Sequence, residues 1–365
     1  MLNPDPAAWP APLLYFDSPA FPVASPGPVQ VTGWLAGNFA FGDVRLDEKD
    51  GRSIPLTIGP RPDVEGAFPG FAHVAGFSVV VDRRDLADDA LTFRYSFGGV
   101  ACCYRRSLAG GIDPAVKQSK LDRIRAILRP GLDWVERPGC LDFLTDELRQ
   151  TAHLSPTDAV SSNPYDAYAL GLFSFLPDGL ILDAGAGFNP DYRPNVVNLE
   201  VVDYPTCDVL AAGERLPFRD GSFDAVLSLA VLEHVRDPFA CAAEIQRVLK
   251  PGGLLCAVVP FLQPYHGFPH HYYNMTAQGL RNLFSGLTVI AQQVPLSGLP
   301  IWSLGWYIRE YSESLPQAER RAFHEMKIGE LLRHPTAYLG EGFVRALPES
   351  ANFTLASTTM LLATK

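Results

Sequence analysis

The chain reads as an α/β protein, a doubly wound parallel sheet preceded by a smaller all-β module. Three observations carry this. From about residue 165 onward, short apolar runs alternate with segments of helical period. The first of these runs, in the stretch 179–190 (GLILDAGAGFNP), ends in Asp183 and then passes through Gly185 and Gly187. Residues 29–110 have a different texture, with several short strand-like runs separated by turn residues.

The front of the chain is punctuated by Pro4, Pro6, Pro10, Pro12, Pro19, Pro22, Pro26 and Pro28, so residues 1–28 are expected to be extended, or draped over a domain. Next, 43–47 and 54–58 flank Asp50-Gly51, a hairpin signal. The runs 76–81 and 91–96 add strands, and together residues 29–110 predict a β-sandwich that folds alone. Residues 112–150 have helical period, with Leu121, Ile124, Ile127 and Leu128 facing inward before Pro130-Gly131 breaks the run. A helical connector over 112–160 is therefore expected to cover the edge or mouth of the main sheet.

Buried strands are then expected at 179–183, 196–200, 223–228, 254–260, 287–291 and 357–364. Between them, Phe239, Ala242, Ile245 and Leu249 recur at helical spacing, and Pro251-Gly252-Gly253 stops that helix. Thr276 is placed to cap a helix running to Phe284.

A carboxylate at the carboxyl end of a parallel strand lies at the crevice where open α/β sheets bind ligands. Glycines beside it let the backbone approach a ligand with no Cβ in the way. A dinucleotide fingerprint requires a third glycine where Pro190 stands, which disfavours NAD or FAD. The phosphate-cradling G-x-x-x-x-G-K-[ST] pattern is missing from this segment.

The segments beyond the loop are more specific. A second strand ends in Glu200. Then come Leu216-Pro217-Phe218, Phe223-Asp224-Ala225-Val226, Leu232-Glu233-His234-Val235 and Leu249-Lys250-Pro251-Gly252-Gly253. In this order the residues resemble a class I S-adenosylmethionine-dependent methyltransferase of the LPF…FDAV…LEHV…LKPGG branch, over roughly 165–295 and again at the last strand. The resemblance implies a Rossmann-like, seven-stranded methyltransferase fold over 161–365. Its last two strands would form an edge hairpin, with a helical insertion at about 296–350 that carries Ile328, Leu331 and Leu332 on one face. The cofactor implied is S-adenosyl-L-methionine. Asp183, Ala184, Gly185 and Gly187 would lie near its methionyl part, and Glu200 would accept from the ribose hydroxyls. Relatives often carry an aspartate for adenine where this chain has Ala212, so that contact falls to Gly213 and Glu214. Asn189 stands at the family's usual third glycine and tolerates positive φ. In front, Gly33-Trp34, Arg61-Pro62-Asp63-Val64, Phe68-Pro69 and Gly76-Phe77 resemble an immunoglobulin-like module attached to bacterial glycosyltransferases of surface-polysaccharide pathways.

Catalytic residues are expected in the loop 264–276, which comes after a strand's carboxyl end. Methyl transfer is an in-line displacement at a sulfonium, and a hydroxyl nucleophile benefits from losing its proton as it attacks. His266, His270 and His271 are the candidate bases; Tyr272 and Tyr273 are placed to stack on a sugar or to fill the loop. A metal is not expected. Pro269 prevents a helix that would align His266 with His270, and no cysteine or carboxylate completes the set nearby in sequence. Ubiquinone-pathway methyltransferases with the LEHV motif carry another glutamate three residues before Glu233, and the two acids help hold a divalent metal; this chain has Ala230 there, so Glu233 and His234 read as helix-start residues near the pocket.

Length of 365 residues allows two or three domains, and the net charge of −10 argues against a nucleic-acid surface. No apolar run is long enough to span a membrane, and the start lacks the basic and apolar regions of a signal peptide. Six scattered cysteines without a C-x-x-C pair fit reduced thiols and a cytoplasmic location. The function expected is O-methylation of a sugar or other small hydroxyl acceptor in surface-glycan or secondary metabolism. The front module would contact the glycan or a glycan-pathway enzyme. A cofactor-binding scaffold without catalysis, and an N- or C-methyltransferase, remain open alternatives.

Overall fold

The structure, a computed structural model, describes residues 9–24, 26–154, 160–162, 164–267, 270–361 and 364. The front half is built from eight strands: β1 (Leu13–Ser18), β2 (Pro28–Gly37), β3 (Phe41–Asp47), β4 (Ser53–Pro55), β5 (Thr57–Gly59), β6 (His73–Asp82), β7 (Ala90–Phe97) and β8 (Val100–Ser107). A short helix α1 (Pro62–Ala67) lies between β5 and β6. The strands form two four-stranded antiparallel sheets, in the orders β1-β2-β6-β5 and β4-β3-β7-β8. The Asp50-Gly51 turn joins β3 to β4, with Gly51 at φ +80°. Leu13, Val31 and Leu35 of the first sheet share one apolar core with Leu46, Leu91 and Phe93 of the second.

The proline-rich start is not a separate segment, since β1 lies inside it and pairs with β2. Residues 1–8 of that segment lie outside the described residues. Alternation explains the pairing: Leu13, Leu14 and Phe16 are buried while Tyr15 and Asp17 face out.

The connector carries α2 (Pro114–Ala126), capped by Asp113, with Leu121 and Ile124 buried as the spacing requires. It is not wholly helical. Beyond α2 it supplies β9 (Val135–Arg137), β10 (Cys140–Asp142) and a second helix, α3 (Asp146–Thr151). The main sheet then takes β11 (Ile181–Ala184), β12 (Val196–Glu200), β13 (Val209–Leu210), β14 (Phe223–Leu229) and β15 (Leu249–Val258), flanked by α4 (Ala167–Phe175) and α5 (Pro238–Val248). The order is β15-β14-β11-β12-β13-β10-β9, parallel except for β9. The seven strands expected are present in number but differ in identity. Two come from the connector, at the β13 edge. The described residues of 287–291 and 357–364 form no strand, so β15 has no strand partner on its outer side; 362 and 363 lie outside the described residues. Exposure accounts for part of this: Val289 and Ile290 are 40% and 36% exposed, and Met360 and Leu361 over 80%. These runs do not gain the two-sided burial that a parallel strand needs.

After α6 (Ala277–Leu283), which Thr276 caps through Gly279 N–H at 3.0 Å, the chain is helical as expected. It forms α7 (Pro300–Glu313), α8 (Gln317–Glu325), α9 (Ile328–Leu331), α10 (Gly342–Arg345) and α11 (Glu349–Thr354). Their small core is Leu315, Phe343, Leu347 and Ala351. Ile328, Leu331 and Leu332 do not serve it and are exposed. Phe239 also departs from its expected inward face and is 59% exposed, while Cys241 and Val248 join Ala242 and Ile245 in burial.

The front sheets and the main sheet are not separated by a solvent gap. α4 packs on β1 and β8, and its Leu170 and Phe173 belong to the same core as Leu13, Phe93 and Ile181. The Tyr95 hydroxyl and Ser174 Oγ, both buried, lie 2.5 Å apart across this junction. Gly171 meets the backbone of Pro12 so closely that a Cβ there would sit 1.8 Å from the carbonyl oxygen. Independent folding of the front module, expected from its own strands, therefore conflicts with a core it does not own alone.

Candidate functional site

The site lies at the carboxyl ends of β11, β12 and β14, as the topology of an open parallel sheet dictates. Beyond β11 the backbone turns through Gly185 (φ +96°) and Gly187 (φ +59°). A Cβ would fall 2.5 Å from the Val231 side chain at the first and 2.7 Å from the Ser161 carbonyl oxygen at the second. Gly185 and Ala186 N–H both donate to Leu199 O, at 2.9 and 3.1 Å, which pins the loop to β12.

Asp183 is buried, and the Tyr165 hydroxyl donates to its Oδ2 at 2.8 Å. Burial pushes its carboxyl up to about 7; the Tyr165 bond opposes this and the charge of Glu200 reinforces it. Glu200 accepts from Gly187 N–H at 2.9 Å through Oε2 and from Val201 N–H at 2.7 Å through Oε1. Burial raises this carboxyl too, against those backbone bonds. The glycine loop and the β12 acid are thus one hydrogen-bonded unit. Ala184 is buried in the wall, and Ala212 is buried just after β13. Gly213 lies against Cys241, where a Cβ would meet the sulfur at 3.1 Å. Burial, then the charge of Glu214, raises the Cys241 thiol. Asn189 stays out of the positive-φ region in which its tolerance was expected to matter. It is buried, and its Oδ1 accepts from Asp191 N–H at 3.1 Å in a side-chain turn.

On the other side of the crevice, Ala230 at the end of β14 holds φ +56°. A non-glycine residue pays for that conformation. The chain there turns sharply into Leu232 and Glu233, several residues ahead of α5, so Glu233 and His234 do not start the helix. Glu233 is fully buried, and among the described residues neither carboxylate oxygen has a hydrogen-bond partner. Burial pushes its carboxyl up to about 7. The histidine loop is laced onto this turn: Tyr272 and Tyr273 N–H donate to Glu233 O at 2.7 and 3.2 Å, and His234 Nδ1 lies 2.8 Å from His270 O.

The three expected histidines separate in role. His266 and His271 stack edge-on at 4.4 Å between ring centroids, with His234 5.3 Å from His266. Nδ1 of His266 lies 2.9 Å from Pro264 O, so it carries the proton and leaves the lone pair on Nε2. Burial lowers the pKa of His266, and likewise that of His234. His271 is spoken for at both nitrogens. Asn274 donates through Nδ2 to Gln263 O at 2.9 Å, which turns its Oδ1 to His271 Nε2 at 2.9 Å, while His266 N–H donates to His271 Nδ1 at 3.0 Å. His270 turns away and places Nε2 3.0 Å from His153 O. Pro269 lies outside the described residues. A cavity of about 2350 Å³ opens beside His234 and His266, walled by Ser161, Tyr168, Val258 and Trp306.

Sequence reasoning missed Tyr165, Ser161 and the closeness of Glu233 to His266. A tyrosine eighteen residues before Asp183 carries no local signal for its hydrogen bond. The expectation that no carboxylate lies near the histidines is corrected: Glu233, His234 and His266 place one ligand atom each within 4.8 Å of one another.

Residues 188–257 match a family described as a methyltransferase domain. An uncharacterized methyltransferase of Mycobacterium tuberculosis is 33% identical over 124 residues, covering 32% of this chain and 45% of that protein. One from Schizosaccharomyces pombe is 41% identical over 58 residues, 16% of this chain and 21% of that protein. The chain thus spans less than half the length of these curated relatives. Among solved structures, a methyltransferase of Thermotoga maritima, described as S-adenosylmethionine-dependent and as a possible histamine N-methyltransferase, is 19% identical. It covers 32% of this chain and 66% of its own, at a TM-score of 0.25. The cyclase SpnF is 18% identical, covering 64% and 86%, at a TM-score of 0.26. Overlaps that loose carry no argument. Residues 188–257 are thus similar to a methyltransferase domain, and S-adenosylmethionine is the cofactor that such a domain implies.

Proposed function

We propose that the protein transfers a methyl group from S-adenosylmethionine to a hydroxyl of a sugar or other small acceptor, in surface-glycan or secondary metabolism. The observation that carries this reading is the pairing of Asp183 and Glu200. Asp183 is buried and Glu200 half-buried, at the ends of neighbouring strands; Glu200 holds Gly187 N–H, and Ser161, which lies against Gly187, also lines the cavity that His234 and His266 face. Asp183 suits the cofactor's ammonium and Glu200 its ribose hydroxyls, with Ala212, Gly213 and Glu214 along the adenine. In the transfer, the acceptor oxygen forms a bond to the methyl carbon as the carbon–sulfur bond breaks, and that electron pair stays on sulfur. The hydroxyl proton passes to Nε2 of His266, whose lowered pKa keeps it neutral and able to accept near pH 7. His271 and His270 hold the loop in shape.

The two front sheets, with their shared core, support the reading of a β-sandwich resembling the immunoglobulin-like module; contact with a glycan or a glycan-pathway enzyme is its proposed role. Six free cysteines support a reducing, cytoplasmic setting. Among the described residues no helix is long and apolar enough to cross a membrane. The test is calorimetric titration with S-adenosylmethionine, followed by a screen for homocysteine-forming turnover against sugar nucleotides and cell-envelope glycans. No cofactor heat sinks the reading, and product mass and position separate O- from N- or C-methylation.

A further inference from the structure

We propose that Glu233, His234 and His266 form a binding site for one divalent transition-metal ion. Three independent features of the molecule point there. The first is the donor set: a carboxylate and two imidazoles, from a turn after β14 and from the histidine loop, place their ligand atoms within 4.8 Å of one another. His234 Nε2 is 3.7 Å from Glu233 Oε1, too long for a hydrogen bond. Tetrahedral coordination at about 2.1 Å per ligand needs separations of about 3.4 Å, so side-chain adjustments of about 1 Å close the set.

The second feature is tautomer control. Main-chain carbonyl oxygens can only accept, so His270 O and Pro264 O fix the protons of His234 and His266 on Nδ1. Both rings are left with the lone pair on Nε2; that of His234 lies 3.7 Å from Glu233 Oε1, and His266 brings a ring nitrogen within 4.8 Å of both partners. A ligating histidine that donates its other N–H to a carbonyl is the usual support for a metal. The third feature is Glu233 itself. Its carboxylate is 0% exposed and, among the described residues, neither oxygen has a hydrogen-bond partner, a costly state that a bound cation relieves.

The local backbone is shaped to this group. Gly267 (φ +79°) passes the His234 ring so closely that a Cβ would lie 2.3 Å from Cε1. The two-acid arrangement excluded by Ala230 is not needed, because the loop supplies the third ligand from thirty-two residues past His234. Two nitrogens and one carboxylate suit Zn²⁺, Co²⁺ or Mn²⁺ over Mg²⁺ or Ca²⁺, which take oxygen ligands. Three protein ligands leave a position open, and it faces the cavity beside His234 and His266. That position orients and acidifies the acceptor hydroxyl; this role, unlike metal binding itself, rests on the methyl-transfer reading. In the metal-free protein His266 is the base; in the loaded protein it would be a ligand, and a hydroxyl held at the open position would be acidified by the ion and lose its proton to water in the cavity.

The test uses the full chain, stripped with a chelator and titrated with Co²⁺ while visible absorption is recorded, with Zn²⁺ as competitor. One equivalent of Co²⁺ should produce ligand-field bands that Zn²⁺ abolishes. Glu233→Gln and His266→Ala should each weaken binding at least about tenfold, while His73→Ala changes nothing. If Glu233→Gln fails to fold, as judged by circular dichroism, His266→Ala decides. Absence of the bands in the wild type, or unchanged affinity in a folded variant, overturns the site. S-adenosylmethionine titration of the same samples keeps the two readings apart. Cobalt binding without cofactor binding removes methyl transfer and leaves the metal site, and the reverse removes the metal site alone.

Discussion

Asp183 makes the cofactor reading sensitive to pH in a direction the structure fixes. Its carboxyl sits at about 7 because burial disfavours its charge. The proposed contact with the cofactor's ammonium requires the ionised form. Below pH 7 binding must therefore first remove a proton, and affinity should fall by about tenfold per pH unit. Between pH 8 and pH 5 the loss approaches about 100-fold, or about 2.7 kcal/mol. Calorimetry at pH 6 in two buffers of different ionisation enthalpy should register close to one proton released per cofactor bound. Asp183→Asn keeps the shape and an acceptor for the Tyr165 hydroxyl, but it should flatten the pH dependence. At pH 8 it should also lose about 1.5–3 kcal/mol of charge-assisted bonding. Stability of the cofactor-free protein should move the opposite way. A carboxyl raised in the folded state contributes its stability at low pH and loses it as pH rises from about 3.8 to about 7. Asp183→Asn should therefore raise the melting temperature of the free protein at pH 8. A wild-type affinity that is flat from pH 5 to 8, with no proton release, would refute the reasoning.

The same contacts set further expectations. Glu200→Ala removes the proposed ribose acceptor and the anchor of Gly187, and should weaken cofactor binding about 10- to 150-fold by calorimetry. His266→Ala should lower turnover by about 10²–10⁴ with cofactor affinity nearly intact, whereas His271→Ala should lower it less and act through loop order, read by proteolysis of the loop. Gly171→Ala drives a methyl into the Pro12 backbone and should destabilise the whole chain by several kcal/mol in urea titration, on the scale of overpacking and backbone displacement. Cutting at Gly111 should give an insoluble catalytic fragment, because Leu170 and Phe173 would be uncovered at about 1.5–3 kcal/mol each. A soluble fragment that binds cofactor would restore the separate-module view.

The geometry of the glycine loop and of the strand ends beside it was legible because it is local. Asp183, Gly185 and Gly187 fall within five residues, and Glu200 closes the next strand, so period and turn residues suffice to place them. β14 and α5 were legible through burial pattern, apart from Phe239, which lies in the first turn of α5 but off the face that buries Cys241, Ala242, Ile245 and Val248. Strands β9 and β10 were not legible, since three residues carry no period and Val135, Glu136 and Arg137 are all exposed. The reverse error occurred at 287–291, where β-branched residues read as a strand but no partner buries them. Glu233 and His266 meet only through backbone bonds between distant segments, as in Tyr272 N–H to Glu233 O, and no spacing rule encodes such a meeting.

The packing of α4 against β1 bears on how this chain can be inherited and altered. Residues from the front sheets and from the start of β11 and β12 fill one interior, with Leu13, Phe93, Ile181 and Val196 all in it. A swing of the front half relative to the main sheet would have to open this shared interior. The front sheets cannot be exchanged for those of another protein as an interchangeable cassette. A substitution at Leu13 is felt at the root of the strand that holds Asp183, more than 160 residues later, and the two halves are bound to change together.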